Sequence, residues 1–329
     1  MTDSQYQQRS VLVTGANSGL GFEAARQLAV LGYGSVVLAC RTEEKAEAAK
    51  AELVEVTGVD PFSTLEVDVA EVQSSRSAAA ELVGRGVAFD SVLLNAGMVP
   101  NELQRTSDGI ETCFAASLVG HHIITTALLD AGLVNDGGVI VLVGSEAAND
   151  DLPKAMGMSV YDFVRGEPSD FGSTPEEAME HFAKAENGPK YDGNRQYSST
   201  KAFSAWWSAA MSRRHPGGVS FYTVSPGANM GTNAARHATG AFKVMIGFMR
   251  RFGKVLGMDQ PIEQGAGRYI DVLHGRDGQF RNGRTYTSRP KKMTGPLAVS
   301  EAPHLLATDR QDTALAVLDK LTHQHSEAT

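Results

Sequence analysis

The order of apolar and polar positions predicts short buried strands alternating with longer helices. Candidate strands are Val11–Thr14, Ser35–Ala39, Thr64–Val67, Ser91–Leu94, Gly138–Gly144 and Val219–Val224. Their β-branched runs are near-continuously apolar, which suits parallel strands buried on both faces of a sheet. Ala-rich stretches with helical periodicity fall between them at Leu20–Leu31, Glu43–Val56, Glu71–Val83, Gly109–Ala131 and Ser198–Arg214, and no proline interrupts any of them. The expected fold class is α/β, a single Rossmann-type doubly wound parallel sheet with helices on both faces.

Two stretches leave this alternation. Residues 146–196 carry five glycines, four prolines and no sustained period, with one short helix expected near Pro175–Ala185. Long irregular segments inside a compact fold tend to be functional. The second stretch, Ala241–Gly257, is rich in Phe, Met, Val and Ile and holds four cations and no acid, the pattern of an amphipathic basic helix. Near the C-terminus a last strand is expected at Arg284–Ser288, an exposed turn at Pro290-Lys291-Lys292, and a helix over Gln311–His323.

Composition narrows the class of protein. The chain has 329 residues, 42% of them hydrophobic and 21% charged, in the ordinary range of globular proteins. A net charge of −8 offers nucleic acid no basic footprint. Eleven acidic and five basic residues fall within 146–196, so most of the negative charge belongs to that insertion. Cys40 and Cys113 are the only cysteines, which excludes a disulfide framework and a cysteine-based metal cluster. No bound metal is expected. The N-terminal residues lack a charged region followed by an apolar stretch, and no uninterrupted apolar run approaches a membrane span, so a cytoplasmic protein is expected.

The first strand runs into Thr14-Gly15-Ala16-Asn17-Ser18-Gly19-Leu20-Gly21 and then a helix. Glycines there allow a tight turn and close backbone approach to a pyrophosphate, which the helix N-terminus stabilises. The spacing is T-G-x-x-x-G-x-G. Together with Asn95-Ala96-Gly97 after the fourth strand and Tyr197-Ser198-Ser199-Thr200-Lys201, it resembles the short-chain dehydrogenase/reductase family over roughly Ser10 to Gly275. Leu38-Ala39-Cys40-Arg41 and Val143-Gly144-Ser145 are most similar to its retinol dehydrogenase and protochlorophyllide reductase-like branch.

The resemblance implies a nicotinamide cofactor held by Gly15, Asn17, Ser18, Gly19, Leu20, Gly21, Asp68, Val69, Asn95, Ala96, Gly97, Tyr197, Lys201, Pro226, Gly227 and Asn229. Arg41 stands where an acidic residue would bind the ribose of NAD. A guanidinium pairs instead with a 2′-phosphate, which favours NADP(H). Asp68 is expected at the adenine edge, and Asn95 and Gly97 beside the cofactor at the sheet.

Tyr197 and Lys201 share a helix face at i,i+4, so the ammonium can stabilise a phenolate whose unperturbed pKa is about 10. By resemblance Tyr197 is the general acid/base, Lys201 also holds the nicotinamide ribose, and Ser145 orients the substrate oxygen. Tyr161 and Tyr191 compete for the acid role, but Arg165 and Arg195, not lysines, stand four residues on. Ser117 occupies the place where the family usually has asparagine in its proton relay, so either an extra water completes the relay or turnover is impaired. His121, His122 and Cys113 are expected to be packed core groups. Adjacent Trp206 and Trp207 cannot share a helix face, so one is expected in the core and the other against a partner or the insertion.

The expected activity is interconversion of a carbonyl and an alcohol on a bulky, largely apolar small molecule. Reduction of a conjugated carbon–carbon double bond and a nucleotide-binding regulatory role remain as alternatives. One domain spans 1–329, with an acidic insertion at 146–196, a substrate lid at 228–260 and a C-terminal extension at 283–329. Residues 241–257 offer either lid contacts or peripheral membrane contact. The insertion walls the substrate pocket, covers the helix surface through which the family usually dimerises, or is a surface excursion without a role; its resemblance to carbonyl reductases with a comparable insertion implies a monomer over a homodimer.

Overall fold

The computed structural model describes residues 6–229, 259–275 and 279–323. Within them one sheet has the order β3-β2-β1-β4-β5-β6-β7-β8. Its strands are β1 (Ser10–Thr14), β2 (Ser35–Cys40), β3 (Phe62–Glu66), β4 (Phe89–Leu94), β5 (Val134–Val143), β6 (Val219–Val224), β7 (Thr285–Thr287) and β8 (Ala298–Val299). The first seven run parallel, and β8 adds an antiparallel edge. Strand order reverses where β1 lies between β2 and β4, and ligands of such sheets bind outside the carboxyl ends at that point.

Alternate residues of each strand feed two cores. Val11 and Val13 of β1, with Val141 and Val143 of β5, pack under α1 (Gly19–Leu31), α2 (Glu43–Thr57) and a later helix over Ile262–Leu273. Leu12, Ile140 and Leu142 point the other way, toward α3 (Val72–Arg85) and α4 (Thr112–Asp130). Among the described residues α4 is the one helix with the length and hydropathy to cross a membrane. It is 72% buried within the fold, so its apolar character serves the core.

The insertion is part of that second core. It forms α5 (Asp162–Arg165) and α6 (Pro175–Lys184) before the chain enters α7 (Gly193–Arg214). Thr174 caps α6 by accepting from the Glu177 amide, and the Glu177 carboxylate reaches back to Ser173, the reciprocal pattern that starts a helix. Phe163, Phe171 and Phe182 are buried, and Phe182 stacks on Phe203 of α7 and meets Phe114 of α4 edge-on. The acidic residues of the segment thus decorate an element whose apolar positions reach the sheet-facing helices.

Several expectations need correction. β5 begins at Val134 rather than Gly138. α7 begins at Gly193, five residues before Ser198, because the Asp192 carboxylate accepts from the Asn194 and Arg195 amides and caps an earlier start. Both tryptophans are core, at 0% and 1% exposure. Helix α8 (Ile262–Leu273) is followed by α9 (Thr308–His323), which packs along α7, so that α7 meets protein on more than one side. Trp206 Nε1 donates to the His304 carbonyl at 2.8 Å, and Trp207 Nε1 to His122 Nδ1 at 3.1 Å. The Pro290-Lys291-Lys292 turn is exposed, as expected. The amphipathic segment 241–257 and nearly all of the expected lid lie outside the described residues.

Candidate active site

The turn after β1 is shaped by backbone demands. Gly15 and Gly19 have φ of +65° and +61°, the left-handed region that favours glycine. A Cβ on Gly21 would stand 2.4 Å from the Gly15 carbonyl oxygen, so only glycine lets α1 approach its own entry turn this closely. Ser18 makes no side-chain cap, and the first turn of α1 contains no acid, in contrast to α2, where Thr42 caps and Glu43 and Glu44 follow. The N-terminus of α1 therefore keeps its amides and dipole for an outside anion.

Thr14 and Asn95 hold this turn to β4. Thr14 Oγ1 accepts from the Asn95 and Ala96 amides at 2.8 and 3.0 Å, and Asn95 Nδ2 donates to the Thr14 carbonyl. With both acceptor positions used, the Thr14 hydroxyl donates to His121 Nε2 at 3.0 Å, which leaves His121 Nδ1–H to donate to the Ser117 carbonyl. His121 is 1% exposed, and burial lowers its pKa to about 4. It is a neutral packed ring, as expected.

A cleft of about 510 Å³ opens along the carboxyl edge. Gly15, Asn17, Ser18, Gly19 and Leu20 form its phosphate end, Arg41, Asp68 and Val69 one side, and Asn95, Ala96 and Gly97 its floor toward α4. Arg41 is well exposed and its Nε lies 3.4 Å from Asp68 Oδ2. Lys45, on the first turn of α2, lines the same corner. Sequence reasoning missed it, although its place four residues after Arg41 was a usable signal. The glycine cradle, the uncapped helix and this pair of cations fit the pyrophosphate and 2′-phosphate of a dinucleotide.

The proposed reacting groups gather beyond Gly97. A Cβ on Gly97 would stand 3.5 Å from Ser117 Oγ and 3.8 Å from Lys201 Nζ, so the glycine opens the space into which both reach. Ser117 sits in a π-helical segment, Ala115–Val119, and its buried hydroxyl has no hydrogen-bond partner among the described residues. Lys201 is buried, and its ammonium donates to the Val143 carbonyl at 2.9 Å and lies 5.7 Å from the centre of the Tyr197 ring. Burial lowers its pKa to about 8. Burial also raises the Tyr197 hydroxyl to about 12, with hydrogen bonding to Ser145 pulling it the other way. Desolvation thus outweighs the expected help from Lys201 at this phenol. Ser145 caps a turn at Glu146–Asn149, accepting from the Ala147 amide at 3.2 Å.

Other candidates are engaged elsewhere. The Tyr191 hydroxyl donates to the buried Glu111 carboxylate at 2.9 Å, and Tyr161 lies buried beneath the Arg195 guanidinium. Cys113 is buried, its thiol pushed up by burial. Pro226, Gly227 and Asn229 do not line the 510 Å³ cleft; they form a loop at the end of β6, with Asn229 Nδ2 donating to the Pro226 and Gly227 carbonyls. Glu146, expected only as the first acid of the insertion, is 4% exposed and ion-paired to Arg268 of α8. Nothing in local sequence signals that pair, since its members lie on separate elements.

Comparison with known proteins agrees with this geometry. A profile described as short chain dehydrogenase matches residues 9–161. Human retinol dehydrogenase 13 is 36% identical over 122 residues, 37% of this chain and 37% of that protein. The chloroplastic protochlorophyllide reductase of Chlamydomonas reinhardtii is 27% identical over 280 residues, 81% of this chain and 66% of that one. The chain thus spans less than two-thirds of the length of these curated relatives. A solved short chain dehydrogenase from Burkholderia cenocepacia J2315, in complex with NADP, superposes with a TM-score of 0.57 at 21% identity, covering 86% of this chain and 96% of that one. An uncharacterised protein from Mycobacterium Paratuberculosis reaches 0.67 at 20% identity, over 96% and 93% of the two chains. Sequence and fold point the same way: residues 9–161 match the short chain dehydrogenase family, and the chain is similar in sequence to retinol dehydrogenases and a protochlorophyllide reductase.

Proposed function

We propose that the chain is an NADP(H)-dependent oxidoreductase interconverting a carbonyl and an alcohol on a bulky, largely apolar small molecule. The observation that carries this reading is the buried Lys201 ammonium, 5.7 Å from the centre of the Tyr197 ring and next to Gly97, which lines the cleft whose far corner holds Arg41 and Lys45. When bound, NADPH supplies a hydride to the carbonyl carbon. Ser145 hydrogen-bonds the substrate oxygen and fixes its direction, and Tyr197 gives that oxygen its proton. Lys201, held by the Val143 carbonyl, presents its remaining N–H groups to the ribose and to the relay that reprotonates Tyr197. Ser117, whose buried hydroxyl has no partner among the described residues, takes one end of a water in that relay. Arg41 and Lys45 bind the 2′-phosphate, while a carboxylate in their place would repel it.

A second reading, reduction of a conjugated carbon–carbon double bond, is supported by the alignment with a protochlorophyllide reductase over 81% of the chain. The same Tyr197 proton would then pass to carbon. One assay separates the two: a panel of polycyclic ketones and a model enone with NADPH or NADH, followed by absorbance and product analysis. Alcohol formation with NADPH that Tyr197→Phe abolishes is expected. A saturated ketone as product would select the second reading, and no turnover of either class despite NADPH binding would select a regulatory role.

A further inference from the structure

Below the reacting end of the cleft lies a buried polar network that the proposed chemistry does not use. Glu146, next in sequence to Ser145, accepts from Ser225 Oγ at 2.5 Å, from the Ser288 amide at 3.1 Å and from the Ser288 hydroxyl at 2.9 Å. Arg268 Nη1 lies 3.2 Å from the same carboxylate and donates to the Ser225 carbonyl at 3.1 Å. Its Nη2 donates to Ser288 Oγ and to the Gly295 carbonyl. Glu146 and Arg268 are 4% and 5% exposed.

Burying two opposite charges costs more than a well-packed apolar pair unless their hydrogen-bonding sites are filled. Here they are filled, and the partners lie on four separate segments: the turn after β5, the loop after β6, helix α8 and the residues after β7. The connection to the loop after β6 is specific. Because the Ser225 hydroxyl donates to Glu146, its oxygen is turned to accept from the Gly227 amide at 3.1 Å. Gly227 has φ +74°, and a Cβ there would stand 2.9 Å from Arg268 Nη1. The guanidinium thus packs against the one position of the loop that lacks a side chain.

We propose that Glu146 and Arg268 are positioning residues that fix the Ser225–Asn229 loop relative to Ser145, and through it the nicotinamide half of the cofactor site. This assignment rests on the NADP(H) reading above. The phosphate and adenosine half is built from β1, α1 and β2; α1 packs along α8, with Gln27 Nε2 donating to the Glu263 carbonyl, but the hydrogen bonds of Glu146 and Arg268 run to the segments after β5, β6 and β7 and not to these three elements.

Two ligands separate the halves: NADPH, and adenosine 2′,5′-bisphosphate, which lacks the nicotinamide. Arg268→Lys keeps the charge but loses the planar fork that spans Ser225, Ser288 and Gly295. Glu146→Gln keeps the shape and removes the charge. Ser225→Ala leaves the ion pair and deletes the hydroxyl that joins Glu146 to the Gly227 amide, so it reports on the proposal even where the first two variants fail to fold. All three are expected to weaken NADPH by about three- to tenfold, the loss of roughly one well-placed contact. Adenosine 2′,5′-bisphosphate should stay within about twofold, since none of the three substitutions alters a residue that lines that half. Amide exchange of the 225–229 segment should rise in the same variants. Equal weakening of both ligands, or NADPH affinity unchanged in folded Ser225→Ala, overturns the positioning role. Failure of the wild-type chain to bind NADPH would instead refute the NADP(H) reading, and this inference with it.

Discussion

Phe182 offers the most direct measure of whether the acidic insertion is structural. It is fully buried and its ring centre lies 5.2 to 5.9 Å from those of Phe163, Phe203, Phe171, Tyr161 and Phe114. Phe182→Ala removes a ring from a cluster shared by the insertion, α4 and α7, and truncations of this kind cost about 3–5 kcal/mol where the site cannot collapse. Five ring neighbours from three elements make collapse difficult, so the upper half of that range, about 4–5 kcal/mol, is expected. That loss is a large fraction of the roughly 5–15 kcal/mol available to a folded domain. Urea titration followed by tryptophan fluorescence reads it directly, because Trp206 and Trp207 are both buried. Phe182→Leu, which keeps most of the apolar volume, should cost distinctly less. The sites for function should follow: Phe203 lies two residues beyond Lys201 and Phe114 three before Ser117, so NADPH binding should weaken in the truncated variant. A cost below about 1 kcal/mol for Phe182→Ala, the level of an ordinary surface change, would show that the insertion is not part of the core.

Three further outcomes follow from the site and its supports. His121 has its pKa lowered from 6.5 to about 4 by burial, so the unfolded chain takes up the proton first as pH falls; its contribution is full above pH 6.5 and is lost down to pH 4. The loss amounts to about 3 kcal/mol, and His121→Asn should flatten that part of the curve in urea unfolding at stepped pH, a parallel slope counting against it. For cofactor choice, Arg41→Ala and Lys45→Ala should each weaken NADPH and leave NADH nearly unchanged, by about 1 kcal/mol apiece given the exposure of this corner. Equal effects on both nucleotides would remove the 2′-phosphate assignment. Burial alone would raise the Asp319 carboxyl, yet hydrogen bonds from His122 and Arg214 hold it well below its ordinary value. Asp319→Asn should therefore loosen α9 from α7 at a cost of about 1–3 kcal/mol, read as faster amide exchange in Thr308–His323.

What the sequence made legible and what it hid divide along a physical line. Residues whose place is set by their own short segment were legible: the glycines after β1, which the backbone requires, Arg41 at the end of β2, and the i,i+4 pair Tyr197 and Lys201. Their partners are close in sequence or imposed by the strand–turn–helix unit that carries them. Residues whose role is set by elements distant in sequence were not. Glu146 looks like one more acid of a solvated loop until Arg268, 122 positions later, is brought against it. The two tryptophans follow the same rule, because the helix-face argument assumes one covered side and α7 acquires further cover from the C-terminal segment. β8 escaped for a different reason, since a two-residue strand has no period to detect. The insertion shows both halves of the rule at once. The capping of its helix by Thr174 and Glu177 is local, whereas packing against Phe114 and Phe203, distant in sequence, decides its place in the core. The strand–turn–helix that opens the cleft can therefore be located from sequence, while the supports of Ser145 and of the loop after β6 depend on contacts between segments that no local pattern records.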